Sequence, residues 1–138
     1  MFDCRIIDQF PDDMLERIVG FYISANWLKA SDDNSFLLPA LQGSALVVGA
    51  FDENHRIVGC ARALSDGCSD AYIQDVVVDP EYRGQGIGSM LIKTLTDALR
   101  AKGVDWIALV GEPGTEGFYR KLQWQEKSGF TLWQLKIY

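Results

Sequence analysis

Histidine and cysteine are scarce in this chain of 138 residues, which contains one histidine and three cysteines. Cys4, Cys60 and Cys68 are odd in number and form no Cys-x-x-Cys pair, which argues against a disulfide framework and against a metal site. We expect them to be reduced thiols of a cytoplasmic protein. The histidine, His55, follows Asp52, Glu53 and Asn54 in a polar turn and is expected to be solvated.

Long apolar runs and an excess of positive charge are also absent. No run approaches the roughly 18 apolar residues of a membrane span, and Met1–Arg5 lacks the basic-then-apolar order of a signal peptide. Thirteen Lys and Arg stand against 19 Asp and Glu, a net charge of −6. Nucleic acid is not expected as a partner, because phosphates are neutralised by clustered cations. The acidity is compatible with attraction of a cationic substrate, or simply with solubility.

The length predicts one domain over residues 1–138, and 48% hydrophobic residues can form a sizeable core. Hydrophobic periodicity and turn residues predict strands and helices in a definite order. The predicted strands are Phe2–Asp8 (an edge strand), Ser44–Phe51, Arg56–Leu64, Asp70–Val78, Asp105–Val110 (buried on both faces) and Gly129–Tyr138. The predicted helices are Pro11–Ala25, Ser35–Gln42, Met90–Ala101 with a basic last turn and a glycine cap at Gly103, and Thr115–Leu122. This order predicts an α/β fold, a mixed sheet with helices on both faces.

A glycine-rich loop between a β-branched strand and a helix is the most informative segment. It reads Val76-Val77-Val78-Asp79-Pro80-Glu81-Tyr82-Arg83-Gly84-Gln85-Gly86-Ile87-Gly88-Ser89. The first amides of a helix have no partner within it, and glycines allow a ligand to approach them, so the segment is expected to bind phosphate. It is not a P-loop, because no lysine follows a glycine in that register, and it lacks the Gly-x-Gly-x-x-Gly dinucleotide fingerprint.

Arg83–Gly88 fits the pattern Arg/Gln-x-x-Gly-x-Gly/Ala and resembles the acyl-CoA-binding motif of the GNAT superfamily of N-acetyltransferases. The likeness extends back to Tyr72 and resumes at Glu116–Trp124, which is similar to the family's Phe-Tyr-x-x-x-Gly-Phe signature. The two motifs cover roughly the second half of the chain. The resemblance implies a GNAT-like fold with a mostly antiparallel sheet. It also implies that the strands Asp70–Val78 and Asp105–Val110 splay apart to admit the pantetheine arm of acetyl-CoA.

Acetyl-CoA or coenzyme A is the cofactor that the resemblance implies. A bulge in the strand before the loop would aim one N–H at the thioester oxygen. Arg83 would lie near the phosphates, or alternatively form a surface ion pair with Glu81 or Asp79. The implied binding residues are Val76, Val77 and Val78 through their main chain for pantetheine, and Gly84, Gln85, Gly86, Ile87, Gly88 and Ser89 through their amides for pyrophosphate.

Tyr119 matches the family's tyrosine, which implies that it contacts the cofactor and protonates the departing thiolate; alternatively it fills the core. Asp75 is a candidate general base, because aspartate is depleted in strands yet interrupts this one. Its alternative role is to bond local backbone at a bulge. Glu112, or Glu116, is a candidate to bind the ammonium group of the substrate, and either could be an ordinary loop or helix-start carboxylate.

Two positions depart from the family pattern. No asparagine stands between Ile107 and Phe118, where many relatives bond pantetheine, and Gln123-Trp124 replaces the usual Gly-Phe. The predicted function is transfer of an acetyl group from acetyl-CoA to a primary amine of a small molecule or a protein, by direct attack. The alternative is a non-catalytic module that senses acyl-CoA.

Apolar residues are dense in the last predicted strand and favour a homodimer. The alternative is that one face of this strand packs on the core. The residues concerned are Phe130, Leu132, Trp133, Leu135, Ile137 and Tyr138.

Overall fold

The computed structural model describes residues 1–136 and divides the chain into two compact units, Met1–Ala108 and the residues from Leu109 onward. The strands along residues 1–136 are β1 (Asp3–Ile6), β2 (Leu46–Phe51), β3 (Ile57–Ser65), β4 (Asp70–Val78) and β5 (Trp106–Leu109). The helices are α1 (Asp12–Ser24), α2 (Leu37–Gln42), α3 (Ile87–Ala101) and α4 (Glu116–Lys121), with a 3₁₀ turn at Pro80–Tyr82. None of these helices combines the length and apolar character that crossing a bilayer requires.

The strands form one sheet in the order β1-β2-β3-β4-β5, and β1 through β4 pair antiparallel with their neighbours. Successive residues of a strand point to opposite faces of the sheet, and helices cover both of these faces. A Cβ on Gly59 would lie 3.2 Å from Leu91 of α3, whereas Cys60 belongs to the core that α1 covers. The predicted mixed sheet with two helical layers and the predicted edge position of β1 are confirmed.

Helix α3 has the strongest apolar face in the chain and places its N-terminus beside the end of β4. Leu91, Leu95 and Leu99 are completely buried. The helix ends as predicted at a left-handed glycine, Gly103, with φ +91°. The Val104 amide donates to the Leu99 carbonyl and the Gly103 amide to the Arg100 carbonyl, the paired bonds of a Schellman ending.

Two predictions about the last part of the chain are wrong. Residues 129–136 of the expected strand Gly129–Tyr138 are not in a strand, and its last two residues lie outside the described chain. Strand β5 was expected to be buried on both faces, yet none of its four residues is buried and Trp106 is 42% exposed. It is the last strand of the sheet that residues 1–136 form, so one of its edges has no neighbouring strand there.

Candidate active site

Strand β4 contains a bulge, and a 3₁₀ turn separates the end of this strand from the glycine loop. Cys60 pairs with Val77 and Arg62 with Gln74, so two residues of β4, Asp75 and Val76, oppose one residue of β3. Asp75 has a left-handed φ of +56°, which is uncommon for any residue but glycine. The predicted bulge is therefore present, and it interrupts the segment whose main chain was expected to face pantetheine.

The Asp75 carboxylate is held by two side chains from other elements. Its Oδ2 accepts hydrogen bonds from Arg62 Nε at 2.8 Å and from the Tyr22 hydroxyl at 3.1 Å. Arg62 also donates to the Ser44 hydroxyl at 3.4 Å. The expected alternative, that Asp75 bonds local backbone, is wrong in that its partners are side chains of α1 and β3. Sequence reasoning missed Tyr22 and Arg62, whose separation from Asp75 gives no local signal.

The turn between β4 and the loop is tied to two distant segments. Arg17 of α1 reaches Asp79 Oδ2 at 3.2 Å, while Asp79 Oδ1 accepts from the Glu81 amide at 3.0 Å. The Tyr82 hydroxyl donates to Asp52 Oδ2 at 3.3 Å. These contacts fix the direction in which the chain enters the glycine loop.

The glycine loop leads into the N-terminus of α3. Gly84 and Gly86 have φ of +78° and +81°, and Gly86 is the N-cap of α3. The first loop-helix bond runs from the Met90 amide to the Gly86 carbonyl at 3.1 Å. Within residues 1–136, the amides from Gly84 to Ser89 donate no hydrogen bond to the protein. Such a row of amides at a helix N-terminus suits an anion.

Arg83 is exposed beside this row, and its Nε donates to the Val78 carbonyl at 3.3 Å. The alternative ion pair with Glu81 or Asp79 does not form in the part of the chain that the structure describes. Its guanidinium therefore keeps its charge available at the mouth of the loop.

Tyr119 lies on α4 in the second unit, among aromatic neighbours. Its ring centroid is 4.9 Å from that of Phe118 and 6.0 Å from that of Trp124, both in edge geometry. Burial, together with the charge of Glu112, raises the pKa of Tyr119 above its ordinary value of 10.0. The hydroxyl is therefore protonated at neutral pH, as a general acid must be. Glu116 is exposed in the first turn of α4.

The two departures from the family pattern have visible consequences in the second unit. Gly111–Gly114 occupies the segment where the resemblance places an asparagine, and a Cβ on Gly111 would lie 3.1 Å from the Thr115 hydroxyl oxygen. Gln123, in place of glycine, adopts φ +69°. A left-handed conformation costs a non-glycine residue roughly 1–2 kcal/mol, so Gln123 adopts this turn at a cost.

The cysteines are poor nucleophiles in this structure. Burial is the main cause that raises the pKa of Cys60 from 9.0 to about 12, so its thiol stays protonated. The Asp66 carboxylate raises the pKa of the exposed Cys68. Across residues 1–136, no group of three or more His, Cys, Asp or Glu side chains could hold a metal ion. The raised pKa values of Cys60 and Cys68 argue against a cysteine-linked route for acyl transfer.

The chain is similar to a known protein family and to several of its members. Residues 11–124 match the model of the acetyltransferase (GNAT) family. The chain belongs to this family. It is 41% identical over 91 residues to "GCN5-related N-acetyltransferase 1, chloroplastic" of Arabidopsis thaliana, a match that covers 65% of this chain and 46% of the relative. It is 48% identical over 67 residues to "Serotonin N-acetyltransferase 2, chloroplastic" of Oryza sativa subsp. japonica, covering 49% of this chain and 34% of that protein.

A solved GNAT structure extends the likeness to the whole fold. A GNAT family acetyltransferase of Streptococcus pneumoniae TIGR4 is 26% identical, with a TM-score of 0.74, over 99% of this chain and 100% of that one. The chain spans about half the length of the first curated relatives that it matches. The fold expected from the resemblance is therefore confirmed.

Proposed function

We propose that this GNAT chain transfers an acetyl group from acetyl-CoA to a primary amine by direct attack. The observation that carries the proposal is the row of amides from Gly84 to Ser89, which donate to no group within residues 1–136 and follow a bulged strand and a 3₁₀ turn. The residues present fit the cofactor, because these amides donate to no group of the described residues and lie at the N-terminus of α3.

The amides of Gly84–Ser89 would hold the pyrophosphate, with the guanidinium of Arg83 beside it. Hydrogen bonds to a charged group contribute about 1.5–3 kcal/mol each, so four or five suffice despite the net charge of −6. The main chain of Val76, Val77 and Val78 would pair with the pantetheine arm as an added strand does. Bound acetyl-CoA supplies the acyl thioester.

The bulge in β4 would direct one N–H of Val76 or Val77 toward the carbonyl oxygen on which negative charge develops. Donors fixed in place before the reaction stabilise such charge without reorganisation. The Tyr119 hydroxyl, protonated at neutral pH because its pKa is raised, would donate its proton to the departing sulfur. The main-chain N–H would assist the addition of the amine, and Tyr119 would assist the departure of the thiolate.

The acceptor amine attacks only after it has lost a proton. For an alkylamine with a pKa near 10.4, the neutral form at pH 7 costs roughly 4–5 kcal/mol. Asp75 stays a candidate base, and Glu112 a candidate partner for the ammonium group. The acceptor is proposed as a small-molecule or protein amine. The name of the rice relative adds serotonin to the amines worth testing.

An acetyl-CoA assay that measures thiol release against a panel of amines tests the proposal. The panel includes serotonin, spermidine, glucosamine and a lysine-containing peptide, and binding of coenzyme A is measured by calorimetry. Because Cys68 is exposed, the thiol signal of the protein alone is subtracted. Binding heat with amine-dependent release supports the enzyme, and binding heat without release for any amine indicates the acyl-CoA sensor. Absence of binding heat contradicts both.

A further inference from the structure

Three side chains from three elements converge on the bulge of β4. Tyr22 comes from α1, Arg62 from β3 and Asp75 from β4 itself, and both donors reach the same oxygen, Asp75 Oδ2. Arg62 extends the cluster to Ser44, just before β2. The bulge is therefore tied by side chains to α1 and β3 and, through Arg62, to the residue Ser44 before β2.

The side chains of this cluster are buried or partly buried, which strengthens their contacts. Tyr22 is 4% exposed, and the Arg62 and Asp75 side chains are 18% and 27% exposed. Partial burial makes this ion pair less screened than the open pairs of the surface, such as Lys93–Asp97. Tyr22 also packs edge-on against Trp27, with ring centroids 5.2 Å apart, which adds a second contact to its ring.

The backbone at Asp75 needs such support. A non-glycine residue with a left-handed φ persists only where the surrounding structure over-determines it. Neither neighbour in β4 is glycine, so the conformation is not explained by local flexibility. The cluster supplies the missing constraint, because a shift of Asp75 toward regular strand geometry would move its carboxylate away from both donors.

We propose that Tyr22, Arg62 and Asp75 are positioning residues that hold the bulge of β4, so that the main chain of Val76 and Val77 faces the acyl carrier. The inference rests on the proposed function for its catalytic consequence. It differs from the base hypothesis for Asp75 in a testable way. If Asp75 were the base, replacing Arg62 would free its Oδ2 from a hydrogen-bond donor and would preserve or raise turnover.

The test compares three variants, Tyr22→Phe, Arg62→Gln and Asp75→Gly, with the control Lys93→Gln, which removes an exposed ion pair in α3. Asp75→Gly keeps the left-handed backbone accessible while deleting the carboxylate. Turnover with the best amine is expected to fall in all three, up to about a hundredfold for Arg62→Gln and Asp75→Gly, which a misplacement of about 1 Å can cause. The Kd for coenzyme A should rise by a smaller factor than turnover falls, because the amides of Gly84–Ser89 are unchanged, and Lys93→Gln should match the wild type.

A second readout does not depend on turnover. The amide NMR signals of Val76 and Val77 should move in the three variants, while those of Leu91 and Leu95 in α3 stay in place. The double variant Arg62→Gln/Asp75→Asn should lose less turnover than the product of the single losses, because the pair acts as a unit. The turnover of Asp75→Asn should also be higher than that of Asp75→Ala, since asparagine tolerates the left-handed φ and keeps one acceptor oxygen.

Unchanged turnover and unchanged Val76 and Val77 signals in Tyr22→Phe and Arg62→Gln would overturn the inference. Raised turnover in Arg62→Gln with lost turnover in Asp75→Gly would also overturn it, in favour of Asp75 as the base. Tyr22→Phe removes only a hydroxyl and keeps the buried shape, so it decides the question if Arg62→Gln fails to fold. If the wild type releases no thiol with any amine, the proposed function fails, and the NMR signals still decide whether the cluster holds the bulge.

Discussion

Tyr119 is the residue on which the proton-transfer half of the proposed reaction depends. Its ring is half-buried between Phe118 and Trp124, and its pKa is raised. Replacement by phenylalanine keeps the ring and removes only the acid. We expect Tyr119→Phe to lower turnover by roughly a hundredfold or more, the usual contribution of a positioned general acid, while coenzyme A binds almost as before. Turnover is measured by thiol release and binding by calorimetry.

The neighbouring Phe118→Leu is the control for Tyr119, because it changes the same aromatic cluster without removing a hydroxyl. It should retain most of the turnover. Equal turnover in Tyr119→Phe and the wild type would remove the tyrosine from the mechanism. Protonation of the departing thiolate would then be assigned to solvent.

Cys60 predicts how stability depends on alkaline pH. Its pKa is raised in the folded state from 9.0 to about 12, so the folded protein retains a proton that the unfolded chain releases. The contribution to stability is complete below pH 9 and is lost as the pH rises toward 12. The free energy of unfolding should fall by up to about 1.4 kcal/mol per pH unit from this group, and urea unfolding across this range measures it. Cys60→Ala should show a shallower slope, and identical slopes would contradict the assignment.

At the scale of elements, the glycine loop and α3 together allow a matched comparison. Gly86 and Gly103 bracket α3, both have positive φ, and a Cβ on either would meet nothing within 4 Å. We expect Gly86→Ala and Gly103→Ala each to cost roughly 1–2 kcal/mol of stability, because both force alanine into a left-handed backbone. Only Gly86→Ala should weaken coenzyme A binding, by about tenfold. Calorimetry and urea unfolding on the same samples separate the two effects.

Elements with a strong period and clear ends could be predicted from the sequence. Helix α3 follows from the spacing of Leu91, Leu95 and Leu99 and from its glycine ending, and the bulge was expected from the family likeness. The burial of β5 could not be read from its apolar residues, since a run of this kind does not say whether a neighbouring strand lies on each side.

The positioning cluster could not be predicted either, for a different reason. Tyr22 and Asp75 are separated by 53 positions and Arg62 and Asp75 by 13, so no local pattern joins them. The tyrosine occupies an apolar helix position and reads as core, which it also is. Only the register of β3 against β4 brings the arginine to the bulge.

At the scale of the whole molecule, the exposed apolar side chains near the end of the described chain predict self-association. Phe130, Leu132, Trp133 and Leu135 are between 71% and 87% exposed. Closely spaced apolar residues with this exposure favour burial against another surface. Sedimentation velocity over a range of concentrations should show a dimer, and Trp133→Gln should weaken it. Phe36→Gln, which removes a half-exposed aromatic elsewhere, is the control, and a monomer at all concentrations would contradict the prediction.

The one-residue surplus in β4 has an evolutionary and engineering consequence. Gln74 and Val77 lie on the same side of the sheet despite their odd separation, because β3 advances by two residues where β4 advances by three. Deleting codon 75 would therefore leave every flanking side chain on its present side and make the ladder regular. Under the positioning role proposed above, such a shortened chain, combined with Tyr22→Phe and Arg62→Gln to remove the two orphaned donors, would keep the flanking registers and lose turnover.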